Sequence, residues 1–472
     1  MSIGARTADG REMTLTKEKL DALRTALRGP VHLPGEPAYD ESRSLWNAML
    51  DRRPALVARC LGTADIVACV RFAREHDVAL SIKGGGHNIA GLAVCDGALM
   101  IDTSAMRGVV ADPRAKVAYA QPGCLLGDVD RETQLHGLAA VLGFVSATGA
   151  AGLTLGGGFG YLTRRFGWTC DNVRAISMVT AEGELVRASE DEHADLFWGL
   201  RGGGGNFGVA TGFEHELHAV GPEILGGVMA WPGERAREVL GVVRDISARA
   251  PRELTFATML RLAPPAPWIA KDAHGKPIVG VLACWTGNLD EGERVLAPLR
   301  ALGGSVGDVL ARRPYAMLQS MLDATQPKGR RYYWKAEYLP AYSDALVDKA
   351  IANAARIPSP HSALVTFQLG GALADRPSDF SAAGNRDAAW VLNITSQWEH
   401  AKDDEANVEW ARSAWRDMRE LSTGGTYVNF LTEDEGGDRI RSAYGENYAR
   451  LAELKRKWDP TNVFRANKNI AV

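Results

Sequence analysis

The chain has no CxxC pair, no HExxH and no Cys/His cluster at metal-ligand spacing, so the sequence signals no zinc or other metal centre. Its six cysteines (Cys60, Cys69, Cys95, Cys124, Cys170 and Cys284) are scattered over 472 residues, which reads as reduced core thiols rather than a disulfide framework. No apolar run approaches the ~20 residues that a membrane-spanning helix needs. Mean hydropathy is −0.15. Neither sign of charge dominates: 54 Lys and Arg against 57 Asp and Glu leave −3, with no basic excess for a nucleic-acid backbone. The opening residues, MSIGARTADGREMTLTKEKL, lack the apolar core of a secretory signal. They read as a disordered or helical lead-in to a cytoplasmic protein.

What the chain does have is an ordinary globular composition, 46% apolar and 24% charged, and a length that suits two domains or one with a large insertion. Glycine is the exception, at 51 of 472 residues against a usual ~7%. Much of the excess lies in three clusters: Gly84-Gly85-Gly86, Gly156-Gly157-Gly158 with Gly160, and Gly202 to Gly205 with Gly208.

Residues 31–220 read as alternating short strands and helices. A helix over 64–77 runs into a strand at 79–82, which stops at the first glycine cluster. Val209, Thr211, Phe213, His215 and Leu217 alternate with the residues between them, as a half-buried strand does. From 221 to 424 the strands lengthen, at 255–262, 278–286, 332–339, 362–370 and 391–400, with helices at 292–302 and 341–355 between them. That pattern predicts an antiparallel sheet with helices on one face. Nine of the twelve tryptophans lie beyond residue 220, enough for core packing and for one or two to line a pocket for a ring-shaped ligand.

Glycine clusters at strand-to-turn transitions expose backbone N–H groups that can wrap a phosphate or pyrophosphate. Gly203-x-Gly205-x-x-Gly208 matches a dinucleotide fingerprint but leads into a strand rather than a helix, the reverse of a Rossmann turn. There is no Walker lysine. A large ligand gripped by several loops fits better. His87 follows the first cluster, where a side chain can project into such a ligand; its imidazole is either a turn hydrogen-bonder or a nucleophile toward an electrophilic cofactor carbon.

These residues carry a resemblance. Lys83-Gly-Gly-Gly-His87-Asn-Ile-Ala-Gly91 with Met100-Ile-Asp102 resembles the first flavin-binding signature of the berberine-bridge-enzyme-like oxidoreductases. Thr148-Gly149-x-x-Gly152-x-x-x-Gly156-Gly-Gly-x-Gly160 resembles the second, and Arg201-Gly-Gly-Gly-Gly-Asn-Phe-Gly-Val209 the third. Tyr427-Val-Asn429-Phe, Tyr444-Gly-x-Asn447 and Leu454-Lys-x-Lys-Trp-Asp-Pro460-x-Asn462-x-Phe464 resemble the closing motif.

The resemblance implies an α+β fold. A two-subdomain FAD-binding domain of the p-cresol methylhydroxylase (PCMH) type, residues 1–220, would be completed by 425–472, and a substrate domain would span 221–424. It implies FAD bonded covalently to His87 and held by Gly84, Gly85, Gly86, Asn88, Gly91, Thr148, Gly149, Gly152, Leu153, Gly156, Gly157, Val209, Tyr427, Asn429 and Asn467. Lys468 stands where many relatives have Gln. A second, cysteinyl flavin link found in many members needs a Cys at the position of Val145; a valine forms no thioether, so one histidyl link is expected. This resembles the single-histidine bacterial branch, which includes 6-hydroxy-D-nicotine-oxidase-like enzymes and the flavin oxygenase of enterocin biosynthesis.

The expected reaction is hydride transfer from a substrate C–H (alcohol, sugar, amine or phenol) to the flavin, with O₂ as final acceptor giving H₂O₂. Dehydrogenase chemistry, a flavin-N5-oxide type oxygenase acting on a polyketide-like or aromatic substrate, and a non-catalytic flavoprotein are the alternatives. The partners expected are a small-molecule substrate and O₂, with no nucleic acid and no membrane, in a monomer or homodimer. For the sheet, alternation puts Val365, Phe367 and Leu369 toward the helices and Thr366 and Gln368 toward the flavin, with Asn393, Thr395 and Gln397 beside them. Gln368 would position substrate. Tyr161 is the acid/base candidate, its alternative a packed core tyrosine, and Glu337 a further candidate unless it pairs with Lys335.

Overall fold

Long strands with apolar residues on both faces need cover on both sides, and that requirement organises the second half of the chain. The computed structural model describes residues 2–470. Its largest sheet runs Gly307–Asp308, Glu223–Pro232, Pro277–Trp285, Leu254–Leu262, Ala363–Gln368, Trp390–Trp398 and Arg331–Leu339 in spatial order, with Ala311–Pro314 also paired to Glu223–Pro232. Every pairing is antiparallel. Helices Ala236–Ser247, Leu289–Ala301, Asp344–Ala354 and Asp404–Met418 cover one face. Val243, Leu296, Leu346 and Ala411 on these helices pack on Phe256, Val281, Leu364 and Ile394 of the sheet. The architecture is the expected α+β, an antiparallel sheet with helices on one face.

The first half folds around two smaller sheets. One is antiparallel, in the order Leu185–Ser189, Val173–Val179, Val209–Glu216, Val117–Ala120, Val109–Asp112. The other contains Val31–His32, Leu56–Arg59, Leu99–Asp102 and Leu80–Lys83. Leu99–Asp102 pairs in parallel with strands on both sides, and such pairs need crossovers: helix Thr63–Glu75 lies on the one from Leu56–Arg59, and residues 84–98, with the first glycine cluster, form the one from Leu80–Lys83.

Two differences from the sequence reading have plain causes. The lead-in is neither disordered nor only helical: Ile3–Arg6 and Glu12–Leu15 pair as a hairpin before helix Lys17–Ala26, which is N-capped by Thr16. Strand Glu223–Pro232 was not anticipated, because its interior is buried on both faces and shows no alternation.

Buried polar links join the halves. Arg164 donates to the carbonyls of Leu254 and Leu369, both at 2.6 Å. Arg386 forks onto Asp171 at 2.8 and 2.7 Å. The C-terminal segment returns to the first half: Tyr444 Oη donates to Gly203 O, Lys455 Nζ to Asn206 O, and Asn467 Nδ2 to Gly205 O.

Candidate active site

The loops at Gly84–Gly86, Gly149–Gly152 and Gly204–Gly208, the helix-free face of the large sheet and the returning C-terminal segment enclose one cavity of about 380 Å³. Gly84, Gly85, Gly86, Gly149, Gly152, Gly204, Gly205 and Gly208 line it. Nothing lies within 4 Å of where a Cβ would sit on Gly152 or Gly205, so a ligand can approach the backbone there. Among the described residues, the N–H groups of Gly85, Gly86, His87 and Asn88 find no protein acceptor. Four successive free donors at a glycine turn form a nest for an anion such as a pyrophosphate, and this is the observation by which the chain fits FAD.

His87 lines the cavity with its ring stacked on Trp46, centroids 5.0 Å apart. Burial, with the charge of Lys328 adding, pushes its pKa down to about 4, so the imidazole is neutral and carries a free lone pair at physiological pH. Asn88, Thr148, Leu153, Val209, Tyr427, Asn429 and Asn467 also line the cavity. So does Val145, while none of the six cysteines does. Tyr427 Oη accepts from Gly158 N–H at 3.1 Å and from Asn429 Nδ2 at 2.9 Å, and burial raises its pKa.

Three of the glycines expected to hold the cofactor, Gly91, Gly156 and Gly157, stand elsewhere. A Cβ on Gly91 would strike the Leu50 side chain, and one on Gly156 the Asn429 amide. Gly157, at φ +104°, lies with Gly156 beside a separate small recess bounded by Trp168 and Tyr338. Packing and backbone conformation, rather than contact with the cavity, account for these positions.

The sheet wall corrects the expected faces. Val365 is paired with both Met259 and Asn393, so residues 363, 365 and 367 face the cavity together with Ala257, Met259, Arg261, Asn393, Thr395 and Gln397. Thr366 and Gln368 point the other way. Thr366 joins a buried hydroxyl cluster with Thr258 and Tyr342, and Gln368 Oε1 accepts from Phe256 N–H. Alternation separates two faces but does not say which is which, and here the cavity wall is itself largely apolar. Gln368 therefore does not reach a ligand in the cavity.

Tyr161 does not reach it either. The ring lies behind the wall, 4.6 Å from that of Phe144, and burial holds its hydroxyl far above the usual range. Glu337 faces the helix layer, where it accepts from Trp415 Nε1 and Ser422 Oγ and pairs with Arg439. Lys335 pairs instead with Asp434 and Glu435. The sequence reading missed Trp46 and Arg261. Arg261 shares the alternation of Met259 along its strand, which was the available signal.

A model described as "FAD binding domain" matches residues 54–189, and one described as "Berberine and berberine like" matches 426–471. The chain is 31% identical to (R)-6-hydroxynicotine oxidase of Paenarthrobacter nicotinovorans, over 94% of this chain and 97% of that protein. It is 26% identical to chitooligosaccharide oxidase of Gibberella zeae, over 96% and 94%. Among solved structures, 6-hydroxy-D-nicotine oxidase of Arthrobacter nicotinovorans superimposes with a TM-score of 0.85 at 28% identity, covering 94% of this chain and 98% of that one. Berberine bridge enzyme of Eschscholzia californica, at 19% identity, shares the fold with a TM-score of 0.83 over 96% and 98%.

Proposed function

Since the chain belongs to the berberine-bridge-enzyme-like FAD-linked oxidoreductases, we propose that it is an oxidase holding FAD through a single covalent bond from His87, with no cysteinyl link. The observation that carries this reading is a neutral, cavity-lining imidazole next to four unpartnered N–H groups. FAD, held by this site, would supply hydride-accepting chemistry for a substrate C–H (alcohol, sugar, amine or phenol), with O₂ as the final acceptor giving H₂O₂. Residues 1–220 with 425–472 are then the cofactor-binding unit and 221–424 the substrate unit.

The chain's own groups divide the work. The N–H groups of residues 85–88 would hold the pyrophosphate, and Val209, which lines the same cavity, would stand near the adenine end. Tyr427, Asn429 and Asn467 close the site from the C-terminal side. Phe144, Phe159, Phe367, Met259 and Trp334 exclude water from the reacting atoms. Asn393, Thr395 and Gln397 present the polar stripe that orients substrate; Asn393 Oδ1 is buried without a donor, ready to accept from a substrate O–H or N–H. Among the described residues no carboxylate lines the cavity, so the chain supplies position rather than a strong base.

The test is acid precipitation with intact mass measurement. A yellow pellet heavier by one FAD, lost in His87→Ala, is the expected result. A colourless pellet under a yellow supernatant overturns the covalent link, and protein without flavin overturns the reading as a whole.

A further inference from the structure

Two charged side chains line the cavity, Arg261 and Lys468. Lys468 is committed: its amine donates to Thr432 O at 2.5 Å and lies in the field of Glu435 and Asp434. Arg261 is not. Its Nε reaches Leu262 O at 3.2 Å and its Nη2 reaches Pro360 O at 3.4 Å, both carbonyls. No salt bridge involves it among the described residues. The nearest charge acting on it is a second cation, Arg330, which donates to Gln397 Oε1 on the same wall. The carboxylate in the neighbourhood, Glu399, is paired with His361 at 3.2 Å. Burial and Arg330 pull the Arg261 pKa down to about 10, which leaves it charged at neutral pH.

A half-buried guanidinium on a cavity wall, without a counter-ion, is free to take an anion, and its planar fork matches a carboxylate better than any neutral group. The phosphate-binding N–H groups belong to the 85–88 loop, whereas Arg261 stands on the sheet wall, one strand across Ala363 from Thr395, where the substrate lies in the flavin-oxidase reading on which this step rests. We infer that Arg261 is the specificity-determining residue of a carboxylate subsite, so that the compound oxidised is a small organic acid. Arg330 and Gln397 complete the subsite, the first by charge and the second as an amide donor.

The experiment titrates the flavin-loaded protein by calorimetry with matched pairs: benzoate and benzamide, phenylacetate and phenylacetamide, nicotinate and nicotinamide. At least one acid is expected to bind tenfold or more tighter than its amide. That preference falls below threefold in Arg261→Gln at unchanged flavin content, with Arg261→Lys intermediate. Failure of every acid to exceed its amide, including no binding at all, overturns the subsite, as does a preference undiminished in Arg261→Gln. Should Arg261→Gln not accumulate as folded protein, the wild-type acid preference and its reduction in Arg261→Lys decide the matter. A colourless preparation would sink the flavin reading separately, and the same titrations on that protein still read the carboxylate preference.

Discussion

Gly85 and Gly149 meet backbone to backbone: a Cβ on Gly85 would lie 2.5 Å from Gly149 Cα and 2.7 Å from its N, and one on Gly149 would lie 2.8 Å from Gly85 N. Two of the three glycine loops are thus pressed together with no side chain between them, and the cavity wall depends on that contact. Gly85→Ala forces the loops apart, at about 1–3 kcal/mol for overpacking. The expected outcome is a lower melting temperature and a flavin-to-protein absorbance ratio reduced by half or more. An unchanged ratio would show that the loop contact does not shape the site.

Tyr427→Phe tests the closing side. The variant keeps the ring but removes the oxygen that accepts from Gly158 N–H and Asn429 Nδ2, leaving a buried amide N–H without a partner. Denaturant unfolding should show a loss of about 1–3 kcal/mol, and the flavin absorbance should change to that of solvent-exposed flavin at a lower denaturant concentration than in wild type. Equal midpoints would mean that Gly158 finds another acceptor.

Asp171 and Arg386, both almost fully buried, form a two-pronged pair that ties the segment after Trp168 to the loop before Trp390. Arg386→Met leaves the Asp171 carboxylate buried with only Ser381 Oγ, the Cys170 thiol and the Trp168 N–H as donors. Removing one partner of such a pair costs about 3–5 kcal/mol, whereas changing both to apolar residues costs less. The single variant should therefore be less stable than Asp171→Leu/Arg386→Met in urea unfolding; the reverse order would contradict the account.

Asp130 supplies a pH dependence. It is buried in helix Leu126–Thr133, its Oδ2 accepts from Gln319 Nε2 at 3.1 Å, and its Oδ1 has no partner. Burial, with Asp323 adding, pushes its pKa up to about 7, so the folded chain keeps a proton that the unfolded chain releases near pH 4. Stability from this group is therefore complete below pH 4 and is lost as pH rises toward 7. Asp130→Asn should match wild type at pH 4 and exceed it at pH 8 by on the order of 2–4 kcal/mol, read from thermal melts across that range. A variant no more stable than wild type at pH 8 would refute this.

Much of the site was legible because it is made of backbone. Glycines at loop turns can be read as places where a ligand touches N–H groups, and His87, Thr148, Gly149 and Val209 all line the cavity. What stayed hidden depends on how elements pack. The alternation of residues 363–368 showed two faces, but only pairing with Met259 and Asn393 tells which one meets the cavity. Tyr161 follows a glycine signature in sequence yet turns into the core behind Phe144. Trp46 and Arg261 come from segments far apart in the chain, and only the folded structure brings them to one cavity.

The returning C-terminal segment has a consequence for biosynthesis. Tyr427, Asn429, Asn467 and Lys468 are translated long after the glycine loops they face, yet they form part of the same cavity wall. A chain still on the ribosome can display all three loops and a folded His87 turn while that wall is open to water. Flavin capture therefore waits until Tyr427 and the residues after it have been made and folded back, and a ribosome-stalled chain ending before Tyr427 would let the cofactor go.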